Sequence, residues 1–203
     1  GRGGWNELTP LPGLAREAVA WHEIACLRAA DRVVVASRGL ETLALSSGVA
    51  PDRLSYLPNA SWAGAAGWPP GDGARARREL GLGDGPILLL YSRLFEVAAD
   101  RLAGIVRRAL AAVPAARLLV VGAGLRGEEA RLEAALAAAG VRERATLLGW
   151  VERARLPDLL AAGDAALVPL DDTLVNRCRC SVKLLDLMLS GRPIGRASCR
   201  ERV

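Results

Sequence analysis

Residues 86–127 read PILLLYSRLFEVAADRLAGIVRRALAAVPAARLLVVGAGLRG, and the fold class follows from this stretch. PILLLYS is a short unbroken apolar run, ADRLAGIVRRALAAV is apolar at helical spacing, and ARLLVVG is a second unbroken run. Short unbroken runs mark strands buried on both faces, whereas a period of 3.6 marks a helix with one buried face. A strand, a helix and a strand at this spacing imply a right-handed crossover between parallel neighbours.

The same alternation continues in both directions. Downstream, GEEARLEAALAAAG reads as a helix ended by Gly140, ATLLGWV as a strand, ERARLPDLLAAG as a helix and AALVPL as a strand. SVKLLDLMLSG then reads as a helix capped by Ser181 and closed by Gly191. Upstream lie a short helix, ARARREL, and a Gly, Pro and small-residue stretch, ASWAGAAGWPPGDG, that reads as a linker. Before it come a helix over 14–30, the apolar run RVVVAS, a helix capped by Ser37 and ended by Gly48, and the strand LSYLP. The expected class is α/β, a Rossmann-type parallel sheet with helices on both faces. The expected units are 1–60, a linker over 61–73, a second unit over 74–193, and a tail over 194–203.

Composition narrows the class. The 203 residues are 51% hydrophobic and 24% charged, with 22 Gly and 4 Cys, which excludes a disordered, collagenous or disulfide-stapled chain. No apolar run approaches the roughly 18 residues that a spanning helix needs. The net charge is +5, yet Lys183 is the only lysine, so arginine richness reflects a compositional bias and fits solvated helix faces better than a nucleic-acid groove. The start, GRGGWNELTPLPGL, has neither an initiator Met nor a signal pattern and reads as the middle of a longer chain. The end, IGRASCRERV, has no strand or helix period and resembles a translated sequencing adapter. Without it the charge is +3. Cys26, Cys178 and Cys180 have no second Cys/His pair at metal-ligand spacing, so reduced structural thiols are expected and a metal site is not.

In open parallel sheets ligands sit at the carboxyl ends of the strands, which confines the search to a few loops. Gly122-Ala-Gly124-Leu-Arg-Gly127 is a literal G-x-G-x-x-G between a strand and a helix, a pattern that brings backbone N–H groups to a phosphate. The same spacing serves a plain strand-to-helix turn equally well, and no acidic residue ends the following strand as a dinucleotide site requires. Arg93 lies just past a strand end. Arg177, Arg179 and Lys183 gather around the start of the helix at Ser181, where cations oppose the helix dipole unless an anion offsets them. Asp186 follows Lys183 by three residues, placed either to accept hydrogen bonds from sugar hydroxyls or simply to pair with the lysine. The single histidine, His22, has no nucleophile or carboxylate partner that would make it a base.

The ordered series ADRVVVASRGL, YLPNA, LLLYSRL, LLVVGAGL, LLGWV, AAGDAALVPL and SVKLLDLMLSGRPI resembles the group 1 glycosyltransferases of family four. The resemblance covers about residues 23–193, and DDTLVNRCRCSVKLLDLM is closest to a bacterial subgroup. It implies the two-domain GT-B fold, truncated at both ends. Residues 1–60 would be the last part of an acceptor-binding domain and 74–193 most of a donor-binding domain. It implies a retaining transfer of a sugar from a nucleotide-diphosphate sugar, which is a substrate and not a cofactor, to a sugar or glycolipid acceptor. A cytoplasmic protein is implied, some of whose relatives act at the inner membrane surface, with no nucleic-acid partner. Arg93 matches the family arginine that contacts the donor diphosphate, and Gly122 and Gly124 match the glycines after a later strand. Val151 follows the Gly where backbone groups meet the base. Asp186 stands where the family has the second glutamate of a pair, on the ribose hydroxyls. The lysine that normally follows the arginine is missing, and Cys178 stands where the first glutamate belongs. Donor contacts are therefore expected from Asn176, Arg177 and Lys183 as well. The resemblance identifies no catalytic residue, and the 203-residue chain alone is expected to lack transferase activity. Two other readings remain: a nicotinamide-dependent oxidoreductase using Gly122, Gly124 and Gly127, and a non-catalytic nucleotide-binding remnant.

Overall fold

A computed structural model describes residues 11–63, 67–170 and 172–195. In chain order its helices and strands are α1 (Gly13–Ala29), β1 (Val33–Val35), α2 (Arg38–Ser46), β2 (Leu54–Tyr56), α3 (Gly73–Glu79), β3 (Ile87–Tyr91), α4 (Ala99–Ala112) and β4 (Arg117–Val121). They continue as α5 (Glu128–Ala138), β5 (Ala145–Leu147), α6 (Leu156–Ala162), β6 (Ala165–Leu167), α7 (Leu174–Arg177), α8 (Val182–Leu189) and β7 (Ile194–Gly195). These elements fall into two units. Among the described residues, 11–60 with 172–181 form the first, and 61–63, 67–170 and 182–195 the second.

In the first unit β1 and β2 pair in parallel, Val33 opposite Leu54 and Val35 opposite Tyr56. Val33, Val35, Ala44 and Val49 form its core. Ser37 caps α2 by accepting from the Leu40 amide, which satisfies one of the donors a helix start leaves over. The run RVVVAS suggested a strand covered on both faces. Instead Val34 is 60% exposed between two buried valines, because the described part of this small sheet has apolar partners on one face only. Residues 172–181, read from sequence as part of the second unit, pack in the first. The Ser37 hydroxyl donates to the Cys178 carbonyl and the Asn59 amide to the Cys180 carbonyl. Gly39 allows this approach, since a Cβ there would meet the Cys178 Cα and Sγ at 2.9 Å.

The second unit is a five-stranded parallel sheet in the order β5-β4-β3-β6-β7. Alternation along the central strands divides the core into two layers. Leu90, Leu118 and Val120 face Leu102, Val106 and Leu110 of α4 and Leu132 and Leu136 of α5. Ile87, Leu89, Leu119 and Val121 face Ala76 of α3, Leu159 and Leu160 of α6 and Leu187 of α8. Arginines tie several loops to these layers. Arg144 donates to the carbonyls of Leu110, Val113 and Ala116, and so closes the end of α4. Arg77 reaches the Ala162 carbonyl and Asp164, whose carboxyl also holds the amide that starts β3.

Some boundaries move relative to the sequence reading. The strand ATLLGWV pairs only over Ala145–Leu147, and the helix of ERARLPDLLAAG begins at Leu156, with Pro157 in the first turn where its missing N–H is harmless. Ile194 and Gly195, read as the start of a tail, pair with Ala166 and Leu167 of β6; residues 196–203 lie outside the described residues. So do the first ten residues, 64–66 of the linker, and Asp171. No helix among the described residues is long and apolar enough to cross a membrane. Layering of this kind makes Leu119, which is fully buried, far more costly to truncate than Val34. Leu119→Ala is expected to cost about 3 kcal/mol and Val34→Ala under about 0.5 kcal/mol, measured by urea unfolding. Equal costs would contradict the two-layer core.

Candidate functional site

Strand order decides where a ligand can sit. The chain places β3, β4 and β5 successively outward and then returns to lay β6 on the other side of β3. Loops leaving β3 and β6 therefore diverge, and a crevice opens at their carboxyl ends. Tyr91 ends β3 here, followed by Ser92 and the exposed Arg93.

Helix α8 brings two more side chains to the same place. The Lys183 Nζ lies 5.6 Å from the centre of the Tyr91 ring. Asp186, one turn further on, has no exposed surface. Its Oδ1 accepts from the Ser61 hydroxyl, while its Oδ2 is buried without a hydrogen-bond partner among the described residues. The Tyr91 hydroxyl is pushed up to about 12, first by burial and then by the charge of Asp186, with Arg93 acting in the opposite direction. Of the residues singled out in the sequence, Lys183 lies over the Tyr91 ring, while the charges of Asp186 and Arg93 act in opposite directions on its hydroxyl. Tyr91 and Ser61 were not singled out. Tyr91 looked like the end of an apolar run, and Ser61 was one small residue in a linker.

The glycine loop is arranged differently. Gly122 has φ +125°, and a Cβ there would overlap the Ser92 carbonyl oxygen, so this glycine lets β3 and β4 end side by side. Beyond it the backbone donors are already engaged. The Gly124 amide donates to Glu129 Oε1 at 2.8 Å, and the Leu125 and Arg126 amides donate to Glu128 Oε2 at 2.7 and 2.6 Å. Those bonds, the one from Arg126 foremost, hold the Glu128 carboxyl below the usual carboxylate range. The helix start that would attract a phosphate carries its own carboxylates instead. In this structure the amides of residues 124–126 thus serve the turn itself.

The remaining candidates sit on other elements. Val151 is half-buried against the second core layer. Asn176 and Arg177 belong to the first unit, on the one-turn helix α7 that Thr173 caps by accepting from the Asn176 amide. Arg177 makes a two-pronged pair with Asp172, at 2.6 and 2.8 Å, that raises its pKa. Cys178 is buried against Gly39. Among the described residues no group of three or more His, Cys, Asp or Glu side chains is placed to hold a metal ion.

A parallel α/β unit with a basic edge at its switch point is the arrangement of a nucleotide-binding domain. Residues 85–195, more than half of the chain, match the family described as "Glycosyl transferases group 1", and the chain belongs to that family. No curated protein matches it by sequence. Solved structures show the fold. WaaG, a glycosyltransferase involved in lipopolysaccharide biosynthesis, is 20% identical with a TM-score of 0.69, over 93% of this chain and 50% of its own. Sucrose-phosphate synthase from Thermosynechococcus elongatus is 22% identical with a TM-score of 0.69, over 96% and 48%. Anabaena HepE, solved in complex with UDP-glucose, is 21% identical with a TM-score of 0.66, over 84% and 46%. The chain spans about half the length of each. The α/β fold expected from sequence is the GT-B type of these glycosyltransferases.

The grouping around Tyr91 is measurable. Burial of the neutral phenol sets the folded pKa above the unfolded value of about 10. Its stabilising contribution is therefore complete below pH 10 and is lost as the pH rises towards about 12. In a Tyr56→Phe background, ultraviolet titration is expected to show the Tyr91 phenolate only near pH 12. Asp186→Asn should move that midpoint down and Arg93→Ala should move it up. A midpoint insensitive to both would separate these groups.

Proposed function

We propose that the second unit holds the diphosphate of a nucleotide-diphosphate sugar at the β3/β6 crevice. In this reading the whole protein transfers the sugar, with retention of anomeric configuration, to a sugar or glycolipid acceptor. The observation that carries it is Lys183, at the start of α8, lying 5.6 Å from the centre of the Tyr91 ring at the strand-order reversal, with Arg93 two residues after Tyr91 on the loop leaving β3. Two cations suit a diphosphate: each neutralises oxygen charge that grows when the anomeric C–O bond breaks. Family membership and the UDP-glucose complex of the structurally similar HepE support the same donor class. Asp186, beside these cations, supplies acceptors for sugar hydroxyls. The proposal gives Asn176, Arg177 and Val151 no part in this edge. A cytoplasmic enzyme working on acceptors at the inner membrane surface is compatible with the reading.

Calorimetric titration of the chain with UDP, ADP, GDP and NAD tests it. A nucleoside diphosphate is expected to bind and NAD is not, because the amides of Gly124, Leu125 and Arg126 are engaged by Glu128 and Glu129. Lys183→Ala and Arg93→Ala are each expected to weaken nucleoside diphosphate binding by roughly 10-fold or more, the size of a lost charge-assisted hydrogen bond. Unchanged affinity in both variants, or a preference for NAD, would overturn the reading. Sugar transfer is expected of the whole protein and not of the 203-residue chain. Donor binding without transfer by the whole protein would favour a non-catalytic nucleotide-binding role.

A further inference from the structure

We propose that Tyr91 is a positioning residue: the face of its ring holds the Lys183 ammonium at the β3/β6 edge, where Lys183 meets a phosphate group. The role rests on the reading of that edge as a nucleoside diphosphate site and adds to it the residue on which its lysine depends.

Lysine is a poor anchor by itself. Its four-carbon stem is flexible, and holding the ammonium in one place costs rotamer entropy. Lys183, the only lysine of the chain, is the second residue of α8, a helix that Leu187, one turn later, fixes in the second core layer. Tyr91 packs against the same layer at the end of β3, which is bonded to β4 on one side and to β6 on the other. Ring and helix are therefore both held by the core, and the Lys183 Nζ lies over the ring, 5.6 Å from its centre. That is within the roughly 6 Å at which the negative face of an aromatic ring attracts a cation.

A carboxylate that holds a lysine also neutralises it, whereas a ring face attracts the cation and leaves its charge and N–H groups able to serve phosphate oxygens. Burial keeps the ring itself neutral, since the phenol is pushed up to about 12. The contact consequently needs the ring and not the hydroxyl. Phenylalanine can then replace Tyr91, and leucine, which is apolar but has no ring quadrupole, cannot.

One test needs no nucleotide. Reductive methylation keeps the positive charge and places an NMR-visible dimethyl group on Lys183, the only lysine; loss of the signal in Lys183→Arg assigns it. In the wild-type chain the ring current is expected to move that signal upfield of its position in the urea-unfolded chain. Tyr91→Phe should keep the shift and Tyr91→Leu should lose it, with Tyr91→Met in its place should the leucine variant not fold. A signal unshifted in the wild type, or unaffected by loss of the ring, overturns the proposal. Calorimetric titration with UDP supplies the second test. Tyr91→Leu is expected to bind UDP about fivefold more weakly and Tyr91→Phe to bind it as wild type. In a double-mutant cycle Tyr91→Leu should cost nothing further on top of Lys183→Ala, yet its full factor on top of Arg93→Ala. If UDP binds but Tyr91→Leu binds it as wild type, or weakens it equally in the Lys183→Ala background, the positioning role is overturned and the donor site stands. If the wild-type chain binds none of UDP, ADP and GDP, the donor-site reading fails and the role fails with it.

Discussion

A parallel sheet whose strands are apolar on both faces has to be covered on both, and a chain that winds in one direction covers only one. The reversal of strand order at β3 and β6 resolves this constraint. It places α4 and α5 on one layer and α3, α6 and α8 on the other, with β3 in the centre. Divergence of the β3 and β6 loops follows from the reversal, and so does the position of Tyr91 at the exit of the most enclosed strand. Helix α8 must return over the β6 side, which carries Lys183 and Asp186 to the same ring.

Within that frame the chain uses two different means of handling negative charge. The start of α5 is satisfied internally, since Glu128 and Glu129 accept from the loop amides of residues 124–126. Backbone donors are thereby consumed in shaping a turn. A fully buried Asp186 requires hydroxyl donors, and a residue 125 positions away provides one. The serine hydroxyl satisfies one of the two carboxyl oxygens.

The arginine excess has a structural outlet. Arg144 closes the end of α4, Arg77 joins α6 to the start of β3, and Arg53 donates to the carbonyls of Arg28 and Ala30 in the first unit. Arg177 is committed to Asp172. Guanidinium groups with five donors suit this work of collecting stray carbonyls.

Much was legible in the residues alone because it depends on near neighbours. Apolar period, Ser37 as a cap and Pro157 in a first turn specified helices and strands to within a few residues, and the run ILLLY identified the central strand. Arg93, Lys183 and Asp186 stood out because each is unusual locally: a cation past a strand end, a lone lysine at a helix start, a carboxyl one turn later. What local pattern does not encode is which loops end up side by side. Gly122 and Gly124 matched a phosphate motif, but the approach of Gly122 to Ser92 and the bond from the Gly124 amide to Glu129 were not legible in it. Ser61 had no local signal. Hydrophobic periodicity set the elements, because burial of one face is a property of adjacent residues. The order of the strands and the pairing of Ser61 with Asp186 required the folded chain, because they join groups that only long-range packing brings within hydrogen-bond distance.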